Sequence, residues 1–258
     1  MKKKDNIVGE TSVNFQKCLM KIIIYNNCKD VVVEFQDEYL AKVHTTYQHF
    51  KDGGVKNPYY PSVYNIGITG SKYPVKINNK ISKEYNAWRH MLGRCYDEKY
   101  KRKEPTYQNV VCCDEWLLYE NFYEWLHSQP NFDKWLNNDG WAIDKDILIK
   151  GNKTYRPEFC CLVPQRVNSL FVKNDATRSN LPIGIDIADD KYMVRCGNYL
   201  NNSRDYFGLY DGAESAFRCY KINKEKIIKQ AAQEEYDQGN ITKECYEAML
   251  KYEVEITD

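Results

Sequence analysis

Residues 141–168 read WAIDKDILIKGNKTYRPEFCCLVPQRVN, and the order of residue types in them decides the fold. A β-favouring run over 142–149 is broken by Gly151-Asn152-Lys153, and a second apolar run covers 160–163. Two strands about a turn are expected, followed by a helix that opens at Gln165 toward Asn168. Asp144, Asp146 and Glu158 offer hard oxygen donors of the kind Mg²⁺ or Mn²⁺ takes. Lys145, Lys153, Arg156 and Arg166 place cations beside them, with Lys173 and Arg178 beyond, so a helix start here suits phosphate.

Upstream, EYNAWRHMLGRC over 84–95 puts Tyr85, Trp88, Met91 or Leu92, and Cys95 on one helical stripe. A second aromatic helix is expected over 115–127. Residues 1–82 are β-rich: runs over 21–25 and 31–35 flank an Asn26-Asn27-Cys28-Lys29 turn, and 39–44 suits a third strand. One helical turn over 47–51 stops at Gly53-Gly54, and 64–69 with 73–77 suits another hairpin, giving a small barrel-like module. Downstream, strands over 183–187, 192–196 and 206–210 precede a helix over 212–232 whose Glu214, Ala216, Phe217 and Tyr220 would face a sheet. A last helix over 243–252 has Thr242 as N-cap. The whole is an α+β chain in four segments: 1–82, 83–179, 180–232 and an acidic helix or tail at 233–258.

With 43% hydrophobic and 28% charged residues, the 258-residue chain has the composition of ordered globular protein. Its longest apolar runs are too short to span a bilayer, and the basic start is followed by polar residues, so no membrane partner and a cytoplasmic location are expected. Ten cysteines in a chain of this length favour reduced thiols or metal ligands over a disulfide framework. The net charge of +1 hides an asymmetry. Residues 230–258 carry eight acids against Lys243 and Lys251, net −6, so the remainder is +7; residues 145–178 alone are +4. A basic centre suits a polyanion, and the acidic end suits self-screening or a host protein partner.

An ordered set of motifs now carries a resemblance: Trp88-x-x-Met91-x-x-Arg94-Cys95, Cys113-Asp114-Glu115-Trp116, Asn121-Phe122, Asp144-Lys145, Tyr155-x-Pro157-Glu158-x-Cys160 and Asn168. Over about ninety residues the chain resembles the HNH (His-Me finger) endonucleases of phages and other mobile elements. That family holds one divalent cation on a ββα unit and polarises water with histidine. The resemblance implies a catalytic set of Asp144, Lys145 and Asn168, with Mg²⁺ or Mn²⁺ on Asp144 and Asp146. It also implies structural zinc on Cys95, Cys113 and Cys160, although no C-x-x-C pair is present and buried free thiols remain the alternative. Lys145 stands where the family has histidine and Phe159 where it has a middle asparagine. A lysine is ordinarily protonated near neutrality, and Asp144 and Asp146 favour its charge. The four histidines, His44, His49, His90 and His127, all lie outside this unit.

Residues 180–232 are similar to the plant ethylene-response-factor type of DNA-binding domain through Gly184, Lys191-Tyr192-x-Val194-Arg195, Gly208-x-Tyr210 and Glu214-x-Ala216. There a three-stranded sheet enters the major groove; the matching readers would be Lys191, Arg195 and Arg204, with Asp186, Asp189, Asp190 and Asp205 among them. The expectation is a double-stranded-DNA-binding protein on a degenerate HNH frame. An active Mg²⁺-dependent nicking or homing endonuclease, and a phage-encoded inhibitor of a host defence system, are the alternatives.

Overall fold

The computed structural model describes residues 7–172, 181–198 and 203–256. The chain is α+β, and its residues divide into two compact units, Met1–Gln108 with Cys112–Glu124, and Asn109–Val111 with Trp125–Asp258. Among the described residues no helix is long and apolar enough to cross a membrane.

In the first unit, β1 (Thr11–Val13), β2 (Leu19–Asn27), β3 (Asp30–Phe35) and β4 (Lys42–Thr45) form an antiparallel meander in that order, an open sheet rather than a barrel. Met20, Ile22, Val31, Val33 and Phe35 are buried with Phe50 of α1 (Tyr47–Lys51) and Val55. Thr46 caps α1 by accepting the His49 N–H. The hairpin expected over 64–77 is replaced by a shorter one, β5 (Lys76–Ile77) with β6 (Lys80–Ile81). Asn78 and Asn79 between them both take left-handed φ (51° and 62°), the twist a two-residue hairpin turn needs.

Ser82 then caps α2 (Lys83–Tyr96) through the Tyr85 N–H, and the stripe Trp88, Met91, Leu92 and Cys95 is buried. The Trp88 indole donates to the Trp116 carbonyl at 2.7 Å, which removes the cost of burying its N–H. A short α3 (Glu98–Lys103), β7 (Val111–Cys112) and a 3₁₀ turn at Asp114–Leu117 lead into α4 (Tyr119–Ser128). Its residues Tyr119 and Phe122 are buried, as their spacing predicts.

The second unit holds α5 (Phe132–Asn137), β8 (Trp141–Asp144), β9 (Thr154–Tyr155), β10 (Cys161–Pro164) and α6 (Gln165–Asn168). Strands β8 and β10 are antiparallel with Asp144 opposite Cys161, so the hairpin-plus-helix order expected for this stretch is present. The first strand stops at Asp144 instead of continuing to 149. Three further strands, β11 (Ile185–Ala188), β12 (Lys191–Gly197) and β13 (Arg204–Tyr210), make a second antiparallel sheet.

Helix α7 (Ala213–Asp237) ties these parts together. Its first half packs Ala216 and Tyr220 on Ile185, Val194 and Cys196 of the sheet. The second half packs Ile228, Ala231 and Ala232 with Val163, Val167 and Leu170, and with Cys245 and Met249 of α8 (Lys243–Leu250). Thr242 caps α8 through the Cys245 N–H (3.3 Å). Burial of each Ile or Met contributes about 1.5–3 kcal/mol. Residues 233–256 are therefore not a separate acidic tail; a helical face hidden behind their charge completes the core.

Candidate nucleic-acid interface

The two-strand hairpin bears the residues matched to a nuclease, and their geometry is structural. Asp144 is 8% exposed, and its Oδ1 accepts the backbone N–H groups of Asp146 and Ile147, both at 2.7 Å. Burial pushes its carboxyl above the usual carboxylate range, against the pull of those two amides. Lys145 is 6% exposed. Its Nζ donates to Asp146 Oδ1 and Oδ2 at 2.7 and 2.6 Å and to the Asn152 carbonyl at 3.2 Å. An ammonium has three donors, so none is left for a phosphate in this arrangement.

Asn152 holds the other side of the turn: Nδ2 donates to the Lys145 and Thr154 carbonyls, and Oδ1 accepts the Thr154 N–H. Asp146 already neutralises an ammonium where a divalent cation would have to compete, so Asp144 and Asp146 as placed do not fit a Mg²⁺ or Mn²⁺ ion. Asn168, half-buried, ends α6 and its carbonyl accepts the Phe171 N–H.

The cations proposed for this region are mostly engaged. Arg156 bonds Glu158 at 2.7 Å and lies over the Phe159 ring. Arg166 bonds Glu235 of α7, which is wholly buried. Lys153 is exposed. Lys173 and Arg178 lie outside the described residues. Cys95, buried, and Cys113, half-buried, belong to the first unit; Cys160, buried, belongs to the second. Among the described residues no group of three or more His, Cys, Asp and Glu side chains is placed to hold a metal ion. His127, in the second unit, packs on Phe132 at 3.9 Å.

The second sheet differs. Helix α7 covers one face, where Ile185, Val194 and Cys196 are buried. Pairings Asp186–Met193, Ala188–Lys191, Met193–Leu209, Arg195–Tyr206 and Gly197–Arg204 put those residues on the opposite face. The register slips between Val194 and Arg195, and Gly208 there takes φ 115°, a conformation glycine tolerates. That bulge turns Phe207 toward the core while Tyr206 stays 58% exposed.

Of the four aspartates assigned to this sheet by sequence, Asp189 and Asp190 form the two-residue turn, with φ of 50° and 64°. Asp205 pairs with Cys196 on the helix side, where its Oδ2 accepts Asn198 Nδ2 at 2.6 Å. Only Asp186 shares the open face. Its Oδ2 accepts Arg195 Nη2 at 2.6 Å and Nε at 3.2 Å. Lys191 reaches Asp211, just past β13, at 3.0 Å, and Arg204 is exposed. Sequence spacing misses this separation because Asp189 and Asp190, although they fall between the expected strands, are set among the sheet's cations, and the bulge is not visible in it.

No family model, curated protein or solved structure matches the chain.

Proposed function

We propose that the chain binds double-stranded DNA through the open face of the β11–β13 sheet, on a frame of HNH type that does not itself cleave. One observation carries the reading: a solvent-facing sheet row bearing Lys191, Arg195 and Arg204, with Asp186 beside Arg195, Asp211 beside Lys191, and exposed Tyr206 and Leu209 between them. A sheet backed by a helix is a rigid platform, and a two- or three-stranded ribbon fits the major groove. The Asp186 carboxylate orients the Arg195 fork, which suits bidentate donation to a guanine edge. Arg204 and Lys191 would engage phosphates and fix register. The hairpin frame supplies support: Asp144 and Lys145 close its turn, and the reading needs no metal.

Fluorescence anisotropy with a labelled duplex tests this. Binding should weaken steeply between 50 and 200 mM salt, with log affinity falling by about 0.9 per phosphate neutralised for each unit of log salt. No binding at 50 mM salt, or an affinity indifferent to salt, would overturn it.

A further inference from the structure

One cavity in the second unit has largely apolar walls and a single charged side chain. It offers about 250 Å³, partly open to solvent, between α7, the residues that follow α6, those leading into β11 and those after α8. Leu170, Phe171, Ile183, Tyr220 and Tyr252 line it, and Lys224 is the one cation in its wall. Phe171 and Tyr252 meet edge to face with ring centroids 4.9 Å apart, which fixes one side.

The carboxylate next along the helix is committed elsewhere. Glu225 accepts the Val254 N–H at 2.9 Å and pairs with Lys221 at 3.0 Å. Lys221 in turn donates to the Val254 carbonyl at 2.8 Å. The Lys224 ammonium has no hydrogen bond or ion pair among the described residues. A cation withdrawn from water without a partner is costly, and an anion that enters beside it offsets that cost.

We propose that this cavity binds a short-chain monocarboxylate, with Lys224 donating to the carboxylate and the apolar wall covering the hydrocarbon tail. One cation matches one negative charge; a phosphate or a dicarboxylate brings a second charge that no other lining residue meets. An ammonium–carboxylate hydrogen bond is among the stronger kinds, and low-dielectric walls strengthen it further. About 250 Å³ is below the roughly 300–1,000 Å³ of sites for drug-sized ligands, which limits the tail to a few carbons. Burial pulls the Lys224 amine below the ordinary lysine range, as an ammonium without a counter-charge requires. The cavity lies on the helix side of the β11–β13 sheet, away from the open face, so the site stands independently of DNA binding.

The test is a titration of the full chain, carrying methyl-¹³C isoleucine, with acetate, propionate and butyrate at an ionic strength held constant with chloride. The Ile183 methyl resonance should move and saturate, while those of exposed Ile187 and Ile222 stay still. Each added methylene should tighten binding about four-fold, the mark of a tail held in the cavity rather than an ion pair at the surface. Butyramide, which has the tail without the charge, should bind about ten-fold more weakly or worse. K224M, similar in shape, should keep the fold by circular dichroism and lose the saturable shift, whereas K226M, at an exposed lysine, should retain it. If K224M does not fold, K224Q decides. No saturable Ile183 shift, an affinity indifferent to tail length, or butyrate binding that survives loss of the Lys224 amine would overturn the site.

Discussion

Arg166 separates a structural reading of the basic stretch from a DNA-contacting one, because its guanidinium is bound to Glu235, a wholly buried carboxylate. Glu235 Oε2 also accepts Asn240 Nδ2 at 2.7 Å, and the Glu235 carbonyl accepts the Asn240 N–H at 2.8 Å. Arg166→Ala takes the guanidinium away from that buried carboxylate. Breaking a fully buried pair costs about 3–5 kcal/mol. The Arg166 side chain is 53% exposed, so water screens part of the loss and about 2–3 kcal/mol is expected. In a unit of this size that lowers Tm by roughly 5–10 °C. Replacing both partners, as in Arg166→Met with Glu235→Leu, removes the orphaned charge and should recover most of the loss. Urea unfolding followed at 222 nm reads the effect, since α7 carries much of the helical signal. If Arg166→Ala leaves the midpoint unchanged and instead weakens duplex binding, the pair is not structural and the DNA-contact role returns.

Asp144→Asn keeps an oxygen for the Asp146 and Ile147 amides, whereas Asp144→Ala leaves both without it and should cost about 2–4 kcal/mol. Because burial raises the folded-state pKa of Asp144, its favourable contribution is present at low pH and is lost as pH rises through that value. Asp144→Asn should therefore gain on the wild type as pH rises above about 4, the ordinary aspartate value, in paired urea titrations. On the sheet, Arg195→Ala with Arg204→Ala should lower duplex affinity at least ten-fold, about 1.4 kcal/mol, and flatten the salt slope; unchanged anisotropy isotherms would rule out that face. Gly184 has φ +73°, and an added Cβ would overlap the Tyr220 ring, so Gly184→Ala should cost about 2 kcal/mol or more by thermal melting. Proline at exposed Lys226, in the middle of α7, should cost about 3 kcal/mol and split unfolding of this unit into two transitions; one cooperative melt would mean the helix does not couple its two ends.

The strands and helices with strong periodicity were legible because burial of one face is itself the signal. The α2 stripe, the β2–β3 hairpin and the order strand, strand, helix over 141–168 are of that kind. Turn chemistry is less legible: Asn78-Asn79 and Asp189-Asp190 are polar pairs at left-handed φ, yet the first lies just beyond the hairpin expected over 64–77 and the second is set on the sheet surface. The fate of Lys145 was not legible at all. Its burial depends on Asn152 folding back across the turn, a contact spacing does not encode. The acidic end misled through charge counting, since Ile228, Ala231, Ala232 and Glu235 form an i, i+3, i+4, i+7 stripe whose last member is a buried ion-pair partner.

The charge asymmetry that first pointed to a polyanion is redistributed by folding. Glu235 folds onto Arg166, Glu255 onto Lys150, Asp146 onto Lys145 and Glu158 onto Arg156, so the basic stretch loses much of its field to internal partners. On the second sheet the opposite happens. A tight turn and a strand register carry Asp189, Asp190 and Asp205 off the open face, leaving Lys191, Arg195 and Arg204 there with Asp186 and, just past the last strand, Asp211. Coulomb attraction to a phosphate depends on the charge left over at that surface, not on the count along the chain. The face we propose for DNA is therefore the one that looked acid-crowded in the sequence. The hairpin that looked basic has its cations bound chiefly to the acids that stabilise it.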